Sequence, residues 1–197
     1  RVIKVERPGS GDFARDYDHR ARGLSSHFVW TNRSKESLAL DLKHPDGKAV
    51  LRRLIPTADA LVSNIRPAGL ARLGFGYEEC KALNPRIVYA TATGFGQDGP
   101  WRARPAFDEI VQAASGFASA MGTDEEPAFV PSLIADKICG MALTAAVTAA
   151  LLHRERTGEG QQVEVPMLET LAAFNSIEML GGLAFVPPIG PPGYKRM

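Results

Sequence analysis

The stretch PSLIADKICGMALTAAVTAALLHRERTGEG, residues 131–160, decides how this chain is read. From Ile138 to Leu152 every side chain is uncharged, and Ala and Thr predominate. A helix that is apolar all round is a buried helix, not a surface amphipath. Its small side chains imply close approach by neighbouring elements. His153, Arg154 and Arg156 put cations in the last turn, and Gly158 follows as a C-cap able to turn left-handed. Asp136 stands before the apolar run, the only carboxylate between Glu126 and Glu155. Two readings of it are open. As an N-cap it would accept backbone N–H bonds. As a nucleophile it would be kept ionised by the helix N-terminus and presented to a ligand.

Working outward, strands alternate with helical segments. Val2, Ile3 and Val5 form a strand that ends in the turn Arg7-Pro8-Gly9-Ser10-Gly11-Asp12. Residues 13–27 read as a polar loop, either mobile over a pocket or simply solvated, and Phe28–Trp30 leads out of it. Ser37–Leu42 alternates as a strand, and Lys48–Ile55 has helical spacing. Ala60–Ser63 is the next strand, followed by the turn Asn64-Ile65-Arg66-Pro67-Ala68-Gly69. Leu70–Leu73 is one helical turn, Tyr77–Leu83 a short helix and Ile87–Ala90 a strand. That strand runs into the Gly-rich loop Thr93–Pro100. Phe107–Ala120 is then a helix carrying Asp108, Glu109 and Gln112. Gln161–Val165 is a strand, Met167–Leu180 a helix, and Gly181–Pro192 a linker. The expected fold class is therefore α/β, a Rossmann-like parallel sheet with flanking helices. In such sheets ligands bind beyond the carboxyl ends of strands, here after Val5, Val62 and Ala90.

The chain has 197 residues, 45% hydrophobic and 23% charged, enough for one sizeable core. A net charge of +1 argues against general nucleic-acid binding. Two cysteines, Cys80 and Cys139, are too few for a disulfide framework, so the expected setting is a reducing compartment, the cytoplasm. Cys139 lies one helical turn from Asp136, and a small buried hydrophobe is preferred there over a reactive thiol. The 15-residue run Ile138–Leu152 is short for a membrane span.

The familiar catalytic sets lack their residues. His19, His27, His44 and His153 fall in no metal-ligand spacing, no GxSxG or Walker pattern occurs, and the Gly-rich turn after the first strand carries no GxGxxG. What remains is Asp136 and a set of basic groups read as following strands: Arg7, Lys35, Arg66 and Arg72. Guanidinium and ammonium groups make charge-assisted bonds to phosphate, so their recurrence points to a phosphate-rich ligand.

At this point the chain resembles the class III coenzyme A transferases. The resemblance rests on VIKVERPGSGD, NRSKESLALDL, ADALVSNIRPAGLARLGFGYEECKALNPRIVYATATGFGQDGP, FDEIVQAASG, the IAD ahead of the small-residue helix, and HRERTGEGQQVEVPMLET. These motifs cover nearly the whole chain in the family's order. The family includes formyl-CoA and carnitine CoA-transferases, with the 2-methylacyl-CoA racemases as relatives. It implies a nucleophilic aspartate at Asp136 and an acidic neighbour at Asp108, where formyl-CoA transferase has Glu. It implies coenzyme A contacts at Arg7, Lys35, Asn64, Ile65, Arg72 and Leu73, with Arg104 grouped among them. Coenzyme A is then a substrate carried as acyl-CoA, the partner substrate is a small carboxylic acid, and no metal, nucleic acid or membrane is involved. Backbone N–H groups at the start of the Asp136 helix would stabilise oxyanions. Racemases of the family use a His directly before the Asp of the FDEIVQ segment, and that position is Phe107. A phenyl ring moves no proton, which favours a transferase over a racemase.

The resemblance also implies a longer chain and an interlocked homodimer. On this expectation residues 1–180 are the coenzyme A-binding α/β domain, lacking a first strand and helix. Residues 181–197 begin a linker toward a second domain. Two alternatives stay open on sequence alone: a non-catalytic coenzyme A-binding protein, and a nucleotide-binding module that would take ADP or NAD equally well.

Overall fold

A computed structural model describes residues 1–123 and 126–193. They belong to two compact units, Arg1–Thr57 and Ala58–Met197.

In the first unit β1 (Ile3–Glu6) pairs in parallel with β2 (Glu36–Ala39), Ile3 opposite Glu36. Helix α1 (Ser26–Asn32) stands between them in sequence, and α2 (Pro45–Leu54) follows β2. Sequence periodicity missed α1 because caps, not an apolar stripe, define it. Ser25 is fully buried and accepts from the Phe28 N–H, while Asp18 accepts from both the N–H and the hydroxyl of Ser26. Helix α2 begins as Pro at the first turn dictates, with the His44 imidazole accepting from the Asp46 N–H.

The turn after β1 is closed by Glu6, whose residue is only 7% exposed. Its carboxylate accepts from Arg15 Nε and Nη2 and from the Asp12 N–H, each at 2.9 Å, and from Ser37 Oγ at 3.3 Å. The Arg15 guanidinium also lies 4.0 Å over the Phe28 ring. The charge-assisted bonds from Arg15 hold the Glu6 carboxyl down to about 2. Residues 13–27 thus include a 3-10 turn, Phe13–Asp16, tied to β1 by an ion pair.

In the second unit β3 (Ala60–Ser63), β4 (Val88–Thr93) and β5 (Gln161–Pro166) form a parallel sheet in the order β3-β4-β5. Helices α3 (Pro67–Leu73) and α4 (Tyr77–Leu83) join β3 to β4. Strand β4 is central, and Val88, Tyr89, Ala90 and Thr91 are at most 1% exposed. The Tyr89 hydroxyl reaches the Phe75 carbonyl at 3.0 Å, satisfying the one polar atom of a ring buried for its apolar bulk. The predicted parallel α/β architecture is what folds; among the described residues it comprises a pair of strands in the first unit and a triplet in the second.

Between β4 and β5 run α5 (Asp108–Ala114), α6 (Phe117–Met121) and α7 (Ile134–Thr157). The single helix expected over Phe107–Ala120 breaks at Gly116, whose φ of +77° lies in the left-handed region. Likewise Met167–Leu180 divides at Asn175 into α8 (Met167–Phe174) and α9 (Ser176–Leu180). The segment read as a linker hydrogen-bonds back on itself and on α9: Gly182 N–H to the Pro191 carbonyl, Ile189 N–H to the Gly182 carbonyl, Gly193 N–H to the Met179 carbonyl. Its last residues, 194–197, lie outside the described residues.

Helix α7 ends as anticipated, Gly158 taking φ +82° with its N–H on the Arg154 carbonyl. Its burial corrects the sequence reading. Only Ala135, Cys139 and Ala150 are buried, on a helix that packs against β4, β5, α5 and α8. The opposite face is open within this chain, with Met141 75% and Leu152 53% exposed. An all-round apolar surface therefore reported one packed face and one uncovered face of small residues. At 24 residues the helix is also longer than its apolar run, and by length and composition alone it could cross a bilayer.

Glu6→Gln removes the ionised hub of the first unit, and the expected loss is about 1–3 kcal/mol. Because the carboxyl titrates below its ordinary value, the stabilisation is complete above roughly pH 5 and fades as pH falls toward the folded value. Hydrogen exchange of peptides within residues 1–57 should show Glu6→Gln opening more readily at pH 7, with the gap closing below pH 3. An equal gap at both pH values would contradict the assignment.

Candidate active site

Three segments meet at the start of α7. The residue before it, Leu133, has no capping side chain, and Asp136 sits within the first turn at the third helical position. The N-cap reading of Asp136 is thereby corrected. The carboxylate that serves the helix start comes from α5 instead. Asp108, only 4% exposed, accepts from the Asp136 N–H at 3.0 Å through one oxygen and from Gln112 Nε2 at 2.6 Å through the other. Gln112, 1% exposed, accepts in turn from the Val130 N–H at 2.9 Å. Asp108 and Gln112 are four residues apart on one helix and so share a face. The positive end of the α7 dipole favours both carboxylates.

The two acids have different environments. Asp108 is sealed in and both its oxygens are engaged. The Asp136 residue is exposed, on a backbone fixed by Asp108. A carboxylate on a held backbone and open to solvent can meet a substrate; a sealed one positions others. Next to it, Lys137 Nζ donates to Ser132 Oγ at 2.6 Å. The expected oxyanion donors at the helix start are largely committed. The Ile134 N–H goes to the Ser132 carbonyl, that of Asp136 to Asp108 and that of Lys137 to the Leu133 carbonyl. Cys139 is buried with its Sγ 3.5 Å from the Val165 carbonyl oxygen, and burial, aided by the Asp136 charge, pushes the thiol up to about 11. It is a packing residue, as preferred from sequence.

The loop after β4 is also held by acids. Glu169 of α8 accepts from the Gly96 N–H at 2.8 Å, and Glu164 of β5 accepts from the Gln97 N–H at 3.0 Å and Thr93 Oγ1 at 3.3 Å. These amides face carboxylates, so this Gly-rich loop is no anion cradle. Sequence reading missed Glu164 and Glu169, since their partners are distant in the chain.

The candidate coenzyme A contacts divide between the two units. In the second unit Asn64 and the half-exposed Ile65 lie in the turn beyond the carboxyl end of β3. Arg66 ties that turn to the loop after β4 by donating to the Ala103 carbonyl at 3.2 Å. Arg104 follows directly, its guanidinium 4.9 Å over the Trp101 ring. Asn64, Ile65, Arg66 and Arg104 thus belong to one loop cluster. Arg72 is exposed in the last turn of α3, where a cation suits the helix end, and Leu73 is half-buried beside it. In the first unit Arg7 follows the carboxyl end of β1 and donates to the Gly11 carbonyl at 2.9 Å. Lys35 precedes the amino end of β2, with Nζ 3.3 Å from Asn32 Oδ1. In a parallel pair those are opposite ends, so Arg7 and Lys35 are not brought together. Nor does Lys35 follow a strand, because α1 precedes it. Among the described residues no group of three or more His, Cys, Asp or Glu is placed to hold a metal.

The model of the family described as CoA-transferase family III matches residues 1–192. The chain belongs to CoA-transferase family III. It is 42% identical over 176 residues to the acetyl-CoA:oxalate CoA-transferase of Acetobacter aceti, covering 88% of this chain and 45% of that protein. It is 40% identical over 180 residues to the succinate–glutarate CoA-transferase of Agrobacterium fabrum, covering 87% and 45%. Among solved structures, a CAIB/BAIF family protein from Brucella suis superposes with a TM-score of 0.87 at 31% identity, over 98% of this chain and 52% of that one. Rv3272 from Mycobacterium tuberculosis gives 0.81 at 37%, over 89% and 49%. The chain spans a little under half the length of these two curated relatives.

In this family III chain the two acids should separate on heating. Asp108→Ala strands the Asp136 N–H and the Gln112 amide in a buried setting, an expected cost of about 1–3 kcal/mol. Asp136→Ala removes one exposed first-turn charge, about 0.3–1 kcal/mol. Thermal unfolding of both variants checks the order. A larger loss from Asp136→Ala would contradict the capping role given to Asp108.

Proposed function

We propose that this chain is the coenzyme A-binding part of a cytoplasmic CoA-transferase that moves coenzyme A between an acyl-CoA thioester and a small carboxylic acid. The observation that carries the reading is the exposed Asp136 carboxylate on a backbone anchored by buried Asp108, in a family III chain. Relatives named for oxalate, succinate and glutarate transfer support short carboxylic and dicarboxylic acids as the acceptor class.

Asp136 attacks the acyl carbonyl, the C–S bond breaks and coenzyme A leaves as thiolate, giving a mixed anhydride. The thiolate then attacks the aspartyl carbonyl carbon. This expels the first acid as carboxylate and leaves an aspartyl thioester. The second carboxylate attacks that thioester and releases thiolate, which attacks the new acyl group and restores the Asp136 carboxylate. One thioester and one carboxylate give another thioester and another carboxylate, so the overall exchange is near thermoneutral and no electron acceptor is consumed. The basic loop cluster of Arg66 and Arg104 suits the nucleotide phosphates, joined by Asn64, Ile65, Arg72 and Leu73 of the same unit. Residues 1–180 are proposed as the coenzyme A-binding domain and 181–197 as the start of a linker. The full-length protein is proposed as an interlocked homodimer. Phe107, 66% exposed and directly before Asp108, offers no proton carrier for racemisation.

Asp136→Asn in the full-length protein tests the reading. Asn keeps the size and shape of the side chain at this exposed first-turn position but lacks the charge and nucleophilicity of the carboxylate. The expected result is folded protein that still binds coenzyme A and exchanges nothing with acetyl-CoA and oxalate or succinyl-CoA and glutarate. Near-normal exchange, with mass spectrometry excluding reversion to Asp, would overturn it.

A further inference from the structure

We infer that Gln112 is a positioning residue for acyl exchange: its buried amide fixes the Asp108 carboxylate on the backbone of Asp136 and holds residues 130–132 beside it. The inference rests on the reading of Asp136 as the nucleophile. Gln112 is 1% exposed and bonds Asp108 and the 130–132 segment, so it is through these that it acts.

The geometry specifies an amide at this position. Nε2 donates to Asp108 Oδ1 at 2.6 Å and lies 3.4 Å from the carbonyls of both Val130 and Ser132. Oε1 accepts from the Val130 N–H at 2.9 Å. One end must donate to a carboxylate while the other accepts from a backbone amide, and the amide side chain does both without carrying charge. With Oδ1 held, Oδ2 is aimed at the Asp136 N–H. Released from Gln112, Asp108 keeps one partner and gains freedom to turn about its own side chain. The candidate nucleophile then loses its fixed backbone. Displacing a reacting group by about 1 Å can slow a reaction by about 10²-fold.

Gln112→Glu tests this with almost no change of shape. The new carboxyl keeps an oxygen for the Val130 N–H and turns its other oxygen on Asp108. Two carboxyl groups this close share one proton. While the proton is present, the Glu O–H donates to Asp108 as Nε2–H does in the parent. When rising pH removes it, the two carboxylates repel and Asp108 is driven off the Asp136 N–H. The other charged groups on the packed elements are Glu109 on α5, Asp136 and Lys137 in the first turns of α7 with His153, Arg154, Glu155 and Arg156 at its far end, and Glu169 on α8, which is bound to the Gly96 N–H; α6 carries none. All are common to parent and variant, so a new pH dependence belongs to the introduced carboxyl.

The experiment measures exchange by the full-length protein between pH 5.5 and 9, with acetyl-CoA and oxalate or whichever of the two named pairs the parent turns over. For Gln112→Glu we expect kcat close to the parent at the acid end and at least about tenfold lower at the alkaline end, with KM for the thioester within about twofold throughout. Gln112→Leu, unable to bond at either end, should lower kcat at every pH without a new slope. If the variants melt earlier yet turn over as the parent does at every pH, Gln112 is merely structural and the inference falls. Asp136→Asn in the same series separates the two claims. An active Asp136→Asn protein defeats the nucleophile reading, whereas an inactive one beside a parent-like Gln112→Glu defeats this inference alone.

Discussion

The hydrogen bond from the Asp136 N–H to the Asp108 carboxylate is the contact on which the candidate site depends. It joins the first turn of α7 to the first turn of α5, two helices that otherwise meet through apolar contacts around Val111, Ala135 and Leu171. It supplies the α7 start with a cap that its own preceding residue does not provide. It also divides labour between two carboxylates. One is desolvated and spends its lone pairs on fixed donors; the other belongs to an exposed residue, the proposed nucleophile, whose backbone N–H the first one holds.

Acidic side chains do similar work elsewhere. Glu164 and Glu169 hold the loop after β4, and Glu6 closes the turn after β1. In each case a carboxylate occupies backbone amides in a loop beyond a strand end. Such loops are where a parallel sheet binds ligands. Fixing them costs entropy at folding rather than at binding, and on the proposed function it is the cationic side chains, not these loop amides, that meet phosphate. Arg66 and Arg104 in the second unit, proposed for that role, contact a carbonyl and an indole face.

Much of this was legible in the chain. The strands at Ala60–Ser63 and Gln161–Pro166, the helix Tyr77–Leu83 and the C-cap at Gly158 follow from periodicity and turn chemistry. Family motifs singled out Asp136 and Asp108. Other features were hidden for physical reasons. Helix α1 is defined by caps from Ser25 and Asp18, which periodicity does not register. Asp136 looked like a cap because sequence cannot show that Asp108, 28 residues away, already serves that end. Gln112 carried a signal, its spacing of four from Asp108, but its hold on Val130 is tertiary. The apolar run of α7 was read as burial on all sides, whereas small residues also populate its uncovered face.

The account stands on Asp136, and not Asp108, being the carboxylate that becomes acylated. Full-length protein incubated with acetyl-CoA and quenched in hydroxylamine would convert an aspartyl thioester into a hydroxamate that peptide mass spectrometry can place. The expected result is a hydroxamate on Asp136 alone, formed only when acyl-CoA is present. A hydroxamate on Asp108, or on another carboxylate with Asp136 unmodified, would contradict the account.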